Sequence, residues 1–320
     1  MRPAERLLRW ARETGWRHVV GIAMVLFAIF PLLYVLSASL APRGTLTDSS
    51  RLFTRVGPEN YVALFTTPSL PYPTWVVNTV VIAIVTSTLS IVISAMAAYA
   101  FSRMRFRWRR QGLLTLLMIQ MFPRILGVVA IFLLLKAIGD AFPAIGLGTS
   151  AGLILVYLGG SLGLTTWIMT GNFNAIPREL DEAARIDGAG HARIFLTIIL
   201  PLAVPMLAVL WLLSILSTVG EFGIANILLV EPEQKTLALG LAGLVSGPDG
   251  RNANWGLFAA GSVLAALPVL ALFVIPQRWS VSGLTSGRVK SAVAHGSGPH
   301  RAHRPRRHGL QPCPGVHGGA

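Results

Sequence analysis

Residues 177–201, PRELDEAARIDGAGHARIFLTIILP, decide the fold, because they form a polar island between long apolar runs and must leave any membrane those runs cross. Pro177 suits a first helical turn, where its missing N–H is not needed, and Glu179, Asp181 and Glu182 then put negative charge near the positive helix end. Gly188 reads as a stop. After it, His191 to Leu200 reads as a second short helix with Ile194, Phe195, Ile198 and Ile199 on one apolar face. The expected unit is a helix-turn-helix held against the bilayer. Ala183 and Ala184 leave its first helix with a nearly bare face open to close approach by another protein, and Glu182 offers a charge for pairing on contact.

The rest of the composition agrees with a membrane setting. Of 320 residues, 53% are hydrophobic and only 12% charged, and the mean hydropathy is +0.63. That is too apolar for an ordinary soluble domain and fits an all-α protein with several spans. The net charge of +14 does not point to nucleic acid, because the basic residues cluster between apolar runs instead of sharing a folded surface with stacking aromatics. Cys313 is the one cysteine, so no internal disulfide forms.

Six spans are expected, at about 19–40, 75–101, 113–137, 151–171, 202–229 and 255–276. The basic segment 1–18 precedes the first, which is too long for a signal-peptide core. Arg103, Arg105, Arg107, Arg109 and Arg110 crowd the connection after the second span. Outside residues 291–320, this division places 16 lysines and arginines on the side of the 172–201 loop and 5 on the other. Cationic excess marks the cytoplasmic side, so both termini and the loop are expected there. Between the first two spans, Asn60, Tyr61, Leu64 and Phe65 suggest a short amphipathic helix. Ser87, Ser90 and Ser94 in the second span, and Gly159 and Gly163 in the fourth, allow close helix packing.

Three charged residues fall within the spans, of which Arg124 and Glu221 are pathway candidates and Lys136 lies at the end of the third span. Arg124, in the QMFPR stretch of the third, is expensive at that depth, so it either faces a water-filled pathway or answers carbonyls freed by Pro123. With Leu113 taken as the inner end, a straight helix puts Arg124 about 17 Å deep. Glu221, in the outer half of the fifth span, is either a pathway residue or an interfacial one. The stretch 231–254 reads as a polar outer loop. Residues 277–290 form a cytoplasmic segment, and 291–320 are too rich in Gly, Pro, Arg and His to fold. Five of the seven histidines lie in that tail, but without carboxylates or a repeated spacing they do not define a metal site.

Catalytic motifs are missing from the sequence. No glycine-rich loop ends in Lys and Ser or Thr, as phosphate binding by an ATPase requires, and none of Lys136, Lys235 and Lys290 follows a glycine. There is no HExxH or CxxC, and the GxSxG strings at 148–152 and 159–163 fall in or beside an apolar span, away from any strand-to-helix turn. The chain is therefore expected to be no enzyme and to need no cofactor.

Glu182, Ala183, Ala184, Gly188, Ile198, Leu200 and Pro201 together spell EAA, three residues, G, nine residues, I-x-LP, which resembles the EAA loop of ABC importer membrane subunits. QMFP at 120–123, YLGG at 157–160, QRW at 277–279, GLT at 283–285 and VK at 289–290 are similar to the MalG-type permeases of maltose and maltodextrin importers. The resemblance covers about residues 15–290. It implies the six-span MetI-like fold in a bacterial inner membrane, with the EAA loop as a coupling helix seated in an ATPase. It further implies a MalF-like second permease, an ABC ATPase dimer, an extracytoplasmic sugar-binding protein, and a C-terminal ATPase contact through Gln277, Arg278 and Trp279. Arg124 and the extension past Lys290 depart from that pattern. Two rivals stand beside it. An ion-coupled secondary transporter would need ionisable groups converging at the midplane, and a scaffold would carry nothing. Related importers also take other sugars and polyols.

Overall fold

The computed structural model describes residues 15–42, 52–53, 56–246 and 254–271. Its elements are helical: α1 (Trp16–Ser39), α2 (Glu59–Thr66), α3 (Tyr72–Arg103), α4 (Arg109–Met121), α5 (Val128–Ala141), α6 (Ser150–Ala175), α7 (Glu179–Ile186), α8 (His191–Val219), α9 (Gly223–Leu228), α10 (Leu237–Val245) and α11 (Trp255–Ala271). Among the described residues, α1, α3, α6 and α8 are each long and apolar enough to cross a membrane, and α4 with α5 makes a fifth if the bent pair is one span. The sixth expected span corresponds to α11, an apolar helix of 17 residues; positions 272–276 lie outside the described residues.

The mast of the fold is α3, which touches three separate cores along its length. At one end Tyr72 and Trp75 pack with Leu64 of α2, Leu237 and Leu241 of α10, and Ala260 of α11. Midway, Ile82 joins Leu135 of α5, Leu153 and Tyr157 of α6, and Leu228 of α9. At the far end Ala95, Ala98 and Tyr99 pack with Met169 and Phe173 of α6, Ala184 of α7 and Ile194, Ile199 and Ala203 of α8. Small side chains make this possible. Ser87, Ser90 and Ser94 are fully buried, and the hydroxyls of Ser90 and Ser161 meet at 2.8 Å across α3 and α6. The two glycines of α6 differ: a Cβ on Gly163 would strike the carbonyl of Leu116 at 2.5 Å, whereas one on Gly159 meets nothing within 4 Å. Close packing against α4 thus uses one of the pair.

Three sequence expectations need correction. The third span is not a straight helix: α4 ends at Phe122 in extended backbone, and its axis is bent by 81° from the continuing helix. Pro123 supplies the reason, since it has no N–H to donate and its ring forces the preceding residue out of helical backbone. Arg124 opens the 3-10 turn Arg124–Gly127 at this corner, so the depth computed for a straight helix does not hold. Next, the stretch 231–254 is not simply a polar loop, because LALGLAGLV folds as α10 with Leu237, Leu239 and Leu241 buried. It is laced to α3 by the Trp75 indole donating to Pro232 O at 2.7 Å, by Asn78 donating to Glu233 O at 2.8 Å and by Thr79 accepting from Leu237 N at 2.7 Å. The fifth span also stops early, at Val219, and Glu221 lies beyond it, at a break. The α2 expectation agrees with the structure, with Asn60 and Leu64 buried.

Most of α1 makes little contact with the remainder of the chain. From Val19 to Leu33 its large apolar side chains are exposed, Phe27 by 79%, and only Ser37, Ala38 and Ser39 at its end are buried. Asn60 holds that end, donating to Ser39 O and Ala41 O at 3.0 Å each.

Candidate functional site

Two places concentrate polar chemistry, one at the Arg103 end of the α3–α6 pair and one partway along it. The first is the 177–201 loop. Helix α7 begins with Glu179, Asp181 and Glu182 in its first turn, where their charge suits the partial positive charge of the helix end. It ends in a Schellman motif: Ala189 N donates to Ala184 O at 2.9 Å and Gly188 N to Arg185 O at 3.0 Å, with Gly188 at φ +79°. A left-handed residue closes this motif, and glycine adopts that backbone without a Cβ clash. The turn then redirects the chain into α8.

The two faces of α7 do different work. Asp181 and Ala184 are buried against the bundle, while Glu182, Ala183, Ile186 and Gly188 are exposed, Ile186 by 87%. Ala184 therefore does not belong to the free face; it fills the core beside Phe173 and Ile194. The outward surface is instead Glu179, Leu180, Glu182, Ala183 and Ile186, acidic residues interleaved with apolar ones. What holds α7 in place is a buried ion pair, Arg103 Nε to Asp181 Oδ2 at 2.7 Å, with side chains only 2% and 5% exposed. Arg103 also donates from Nη2 to Ile176 O at 2.9 Å, and Ser102 beside it donates to Asn174 Oδ1 at 2.8 Å. The last turn of α3 thus grips both the approach to α7 and α7 itself. Around this clamp Arg105, Arg178, Arg185 and His191 line a cleft of about 540 Å³.

The expected second short helix is not separate. His191 runs without interruption into α8, through a π-helical turn at Phe195–Ile199 in which Leu200 N reaches back to Phe195 O. The wide turn lies next to Pro201, whose ring and missing N–H disturb the ordinary ladder at that point. Ile194 and Ile199 are fully buried, as the one-sided apolar face requires. Tyr99 of α3 packs on Phe195 with ring centroids 5.1 Å apart, and its hydroxyl is 3.3 Å from His191 Nδ1. A push on α7 or on the start of α8 therefore meets α3 through a buried ion pair and an aromatic contact.

The second place is a cavity of about 210 Å³ between α3, α4, α6 and α8. Its polar lining includes Thr86, Gln120, Tyr157, Ser161, Thr218 and Glu221, and Leu164, Ile168, Leu210 and Leu213 supply apolar wall. Glu221 is pinned. Its Oε1 accepts from Ile224 N at 2.8 Å and its Oε2 from Ala225 N at 3.1 Å, while the Tyr157 hydroxyl donates to Oε2. Gln120 donates to Gly160 O at 3.0 Å. Glu221 and Arg124, paired in expectation only as pathway candidates, play different structural parts: one is fixed in this cavity and the other starts the corner between α4 and α5. Gln277, Arg278 and Trp279 lie outside the described residues.

Sequence reading missed the Arg103–Asp181 clamp and the meeting of Tyr157 with Glu221. Arg103 opened a run of arginines that served equally well as a topology anchor, and Asp181 stood among other acids of a first turn. Tyr157 was visible only as part of YLGG.

Long apolar helices with a polar helix gripped at one end are the architecture of a helical membrane protein with one polar face outside the bilayer. Residues 90–284 match the family described as the binding-protein-dependent transport system inner membrane component, and the chain belongs to that family. Among curated relatives, it is 37% identical over 283 residues to the maltose/maltodextrin transport system permease protein MalG of Vibrio parahaemolyticus, covering 85% of this chain and 94% of that one. It is 43% identical over 219 residues to the maltodextrin transport system permease protein MdxG of Bacillus subtilis, covering 68% and 76%. Among solved structures, it superposes with a TM-score of 0.69 at 23% identity on a chain of a bacterial ABC transporter that imports the acidic polysaccharide alginate, covering 84% of this chain and 97% of that one. The MetNI methionine ABC transporter, in an inward-facing form, gives a TM-score of 0.51 at 20% identity over 65% and 94%. The fold is thus that of ABC importer permeases, and the chain is a multi-pass membrane protein of the permease class.

Proposed function

We propose that this chain is one of two membrane subunits of an ATP-driven importer of malto-oligosaccharides, working with a MalF-like second permease, an ABC ATPase dimer and an extracytoplasmic sugar-binding protein. It moves the sugar without altering it and leaves ATP hydrolysis to the ATPase. The substrate class follows the relatives, which are named maltose and maltodextrin permeases over most of this chain's length. A binding-protein partner is supported by the alginate transporter, which was solved in complex with a sugar-loaded periplasmic protein.

The observation that carries the coupling role is the division of α7 into a clamped inner face and a free outer one. Glu182, Ala183 and Ile186 are exposed for docking, while Asp181 is locked to α3 by Arg103. ATPase closure pulls on the outer face, and the clamp carries that displacement to α3 and, through Tyr99 and Phe195, to α8. Gly188, Ile198, Leu200 and Pro201 shape the turn and the start of α8. Gln277, Arg278 and Trp279 add a second contact with the ATPase. Arg124 belongs to the pathway wall, and both termini and α7 lie in the cytoplasm, as the excess of basic residues favours. The ATPase favours one of two packings of the spans, and its differential contact supplies the bias.

The test is co-purification from detergent-solubilised membranes. Wild-type chain should retain a second permease and an ATPase. Glu182→Lys should keep the permease and lose the ATPase. Recovery of the ATPase with Glu182→Lys at the wild-type ratio would remove α7 from the docking surface.

A further inference from the structure

We propose that the cavity between α3, α4, α6 and α8 is a sugar-contact site belonging to this subunit, so that the chain handles its substrate directly as well as transmitting motion. This rests on the importer reading above. Serine, threonine and tyrosine converge here from α3, α6 and α8, helices otherwise apolar enough to cross a membrane. Glu221 joins them from the break after α8, and an ionisable residue within such a bundle marks a functional site by default. On a rise of about 1.5 Å per residue, Thr86 stands about 21 Å along α3 from Tyr72, so the cavity lies well inside the helical layer.

Thr86 gives the strongest sign. Its side chain is 1% exposed and lines the cavity, yet among the described residues its Oγ1 has no hydrogen-bond partner. A buried hydroxyl left unpaired is costly, whereas one that meets a ligand hydroxyl is not. Glu221 is the complement. A carboxylate offers about four acceptor positions; two backbone N–H groups and the Tyr157 hydroxyl occupy three, which fixes the group while leaving Oε1 able to accept once more. Thr218 spends its proton on Ser214 O at 2.9 Å, so its oxygen presents lone pairs.

These groups match the chemistry of a pyranose. Sugar hydroxyls need a fixed acceptor together with groups that both donate and accept, and the C–H face of the ring needs apolar wall. Glu221, Thr86 and Thr218 meet the first need, and Leu164, Ile168 and Leu210 the second. The volume of about 210 Å³ equals about seven waters of liquid, the scale of one ring of a longer chain. Ser217 lines the same cavity and is exposed, so a thiol placed there can report on whether the cavity is filled.

The test uses the full chain assembled with its second permease, ATPase and binding protein in lipid vesicles, with maltotriose as the probe. Thr86→Val removes an unpartnered hydroxyl at nearly constant shape, so a purely structural role predicts unchanged uptake. Sugar contact predicts a three- to tenfold fall in maltotriose uptake, about the worth of one lost hydrogen bond, at equal yield of assembled complex. In a Cys313→Ser background, Ser217→Cys should react with a small maleimide, and the reaction should slow several-fold when maltotriose-loaded binding protein and ATP are present. Should wild-type vesicles take up no maltotriose with ATP, the importer reading fails and this site with it. If the wild type transports, while Thr86→Val transports equally and Ser217→Cys labels at the same rate with sugar, the site alone is overturned.

Discussion

Gly188 and Asp181 show how a few atoms set the geometry of the coupling loop. At φ +79° with open space around it, Gly188 is constrained by its backbone alone, so Gly188→Ala should cost about 1–2 kcal/mol and leave the surface of α7 unchanged. Thermal unfolding in detergent should record a small drop in midpoint, with ATPase binding retained. Asp181 is a different case, because its partner is a charge with almost no access to water. Asp181→Ala strands Arg103, and removing one member of a buried pair costs about 3–5 kcal/mol. Replacing both, as Arg103→Met with Asp181→Leu, should recover most of that stability. Uptake should recover far less, because an apolar contact slides where an ion pair holds. If the double replacement restores uptake in proportion to stability, the clamp serves only folding. Residues of the EAA pattern were legible in sequence because they are local and periodic. The Arg103–Asp181 pair was not, since its members lie on separate helices and each had an adequate local explanation.

Breaks in the helices were harder to read than the helices themselves. Pro123 was visible as a disturbance within an apolar run, but Pro31 and Pro205 stand inside helices that continue. Proline alone therefore does not decide between a kink and an 81° corner; packing on both sides does. The same holds for α10: the stretch 231–254 reads as a polar loop in sequence, and it is packing on α3 that makes a helix of Leu237–Val245. Its fit against α3 is tight: a Cβ on Gly240 would lie 2.2 Å from the Trp75 ring. Gly240→Val should force α10 off the mast at a cost of about 1–3 kcal/mol, and it breaks the Thr79 and Trp75 hydrogen bonds with it. Proteolysis of purified protein should then cut near 231–246 while α7 stays protected. Equal resistance in wild type and variant would mean that α10 tolerates displacement from Trp75.

For the molecule as a whole, every step of the proposed cycle depends on α7 and the 231–246 segment lying on opposite sides of the membrane. Basic residues argue for α7 inside, and the length of α3 separates the two places: its Trp75 end holds Pro232 and its Arg103 end holds Asp181, about 42 Å apart on a rise of 1.5 Å per residue. That span exceeds a hydrocarbon core of about 30 Å, so the two ends should emerge into different compartments. In a Cys313→Ser chain expressed without its ATPase, Glu231→Cys and Asp187→Cys both place a thiol at an exposed position. A membrane-impermeant maleimide applied to intact cells stripped of outer barriers should label Glu231→Cys at once and Asp187→Cys only after permeabilisation. Reversal of that order would put α7 outside, where no ATPase operates, and would leave the clamp between α7 and α3 without a motor to pull on it.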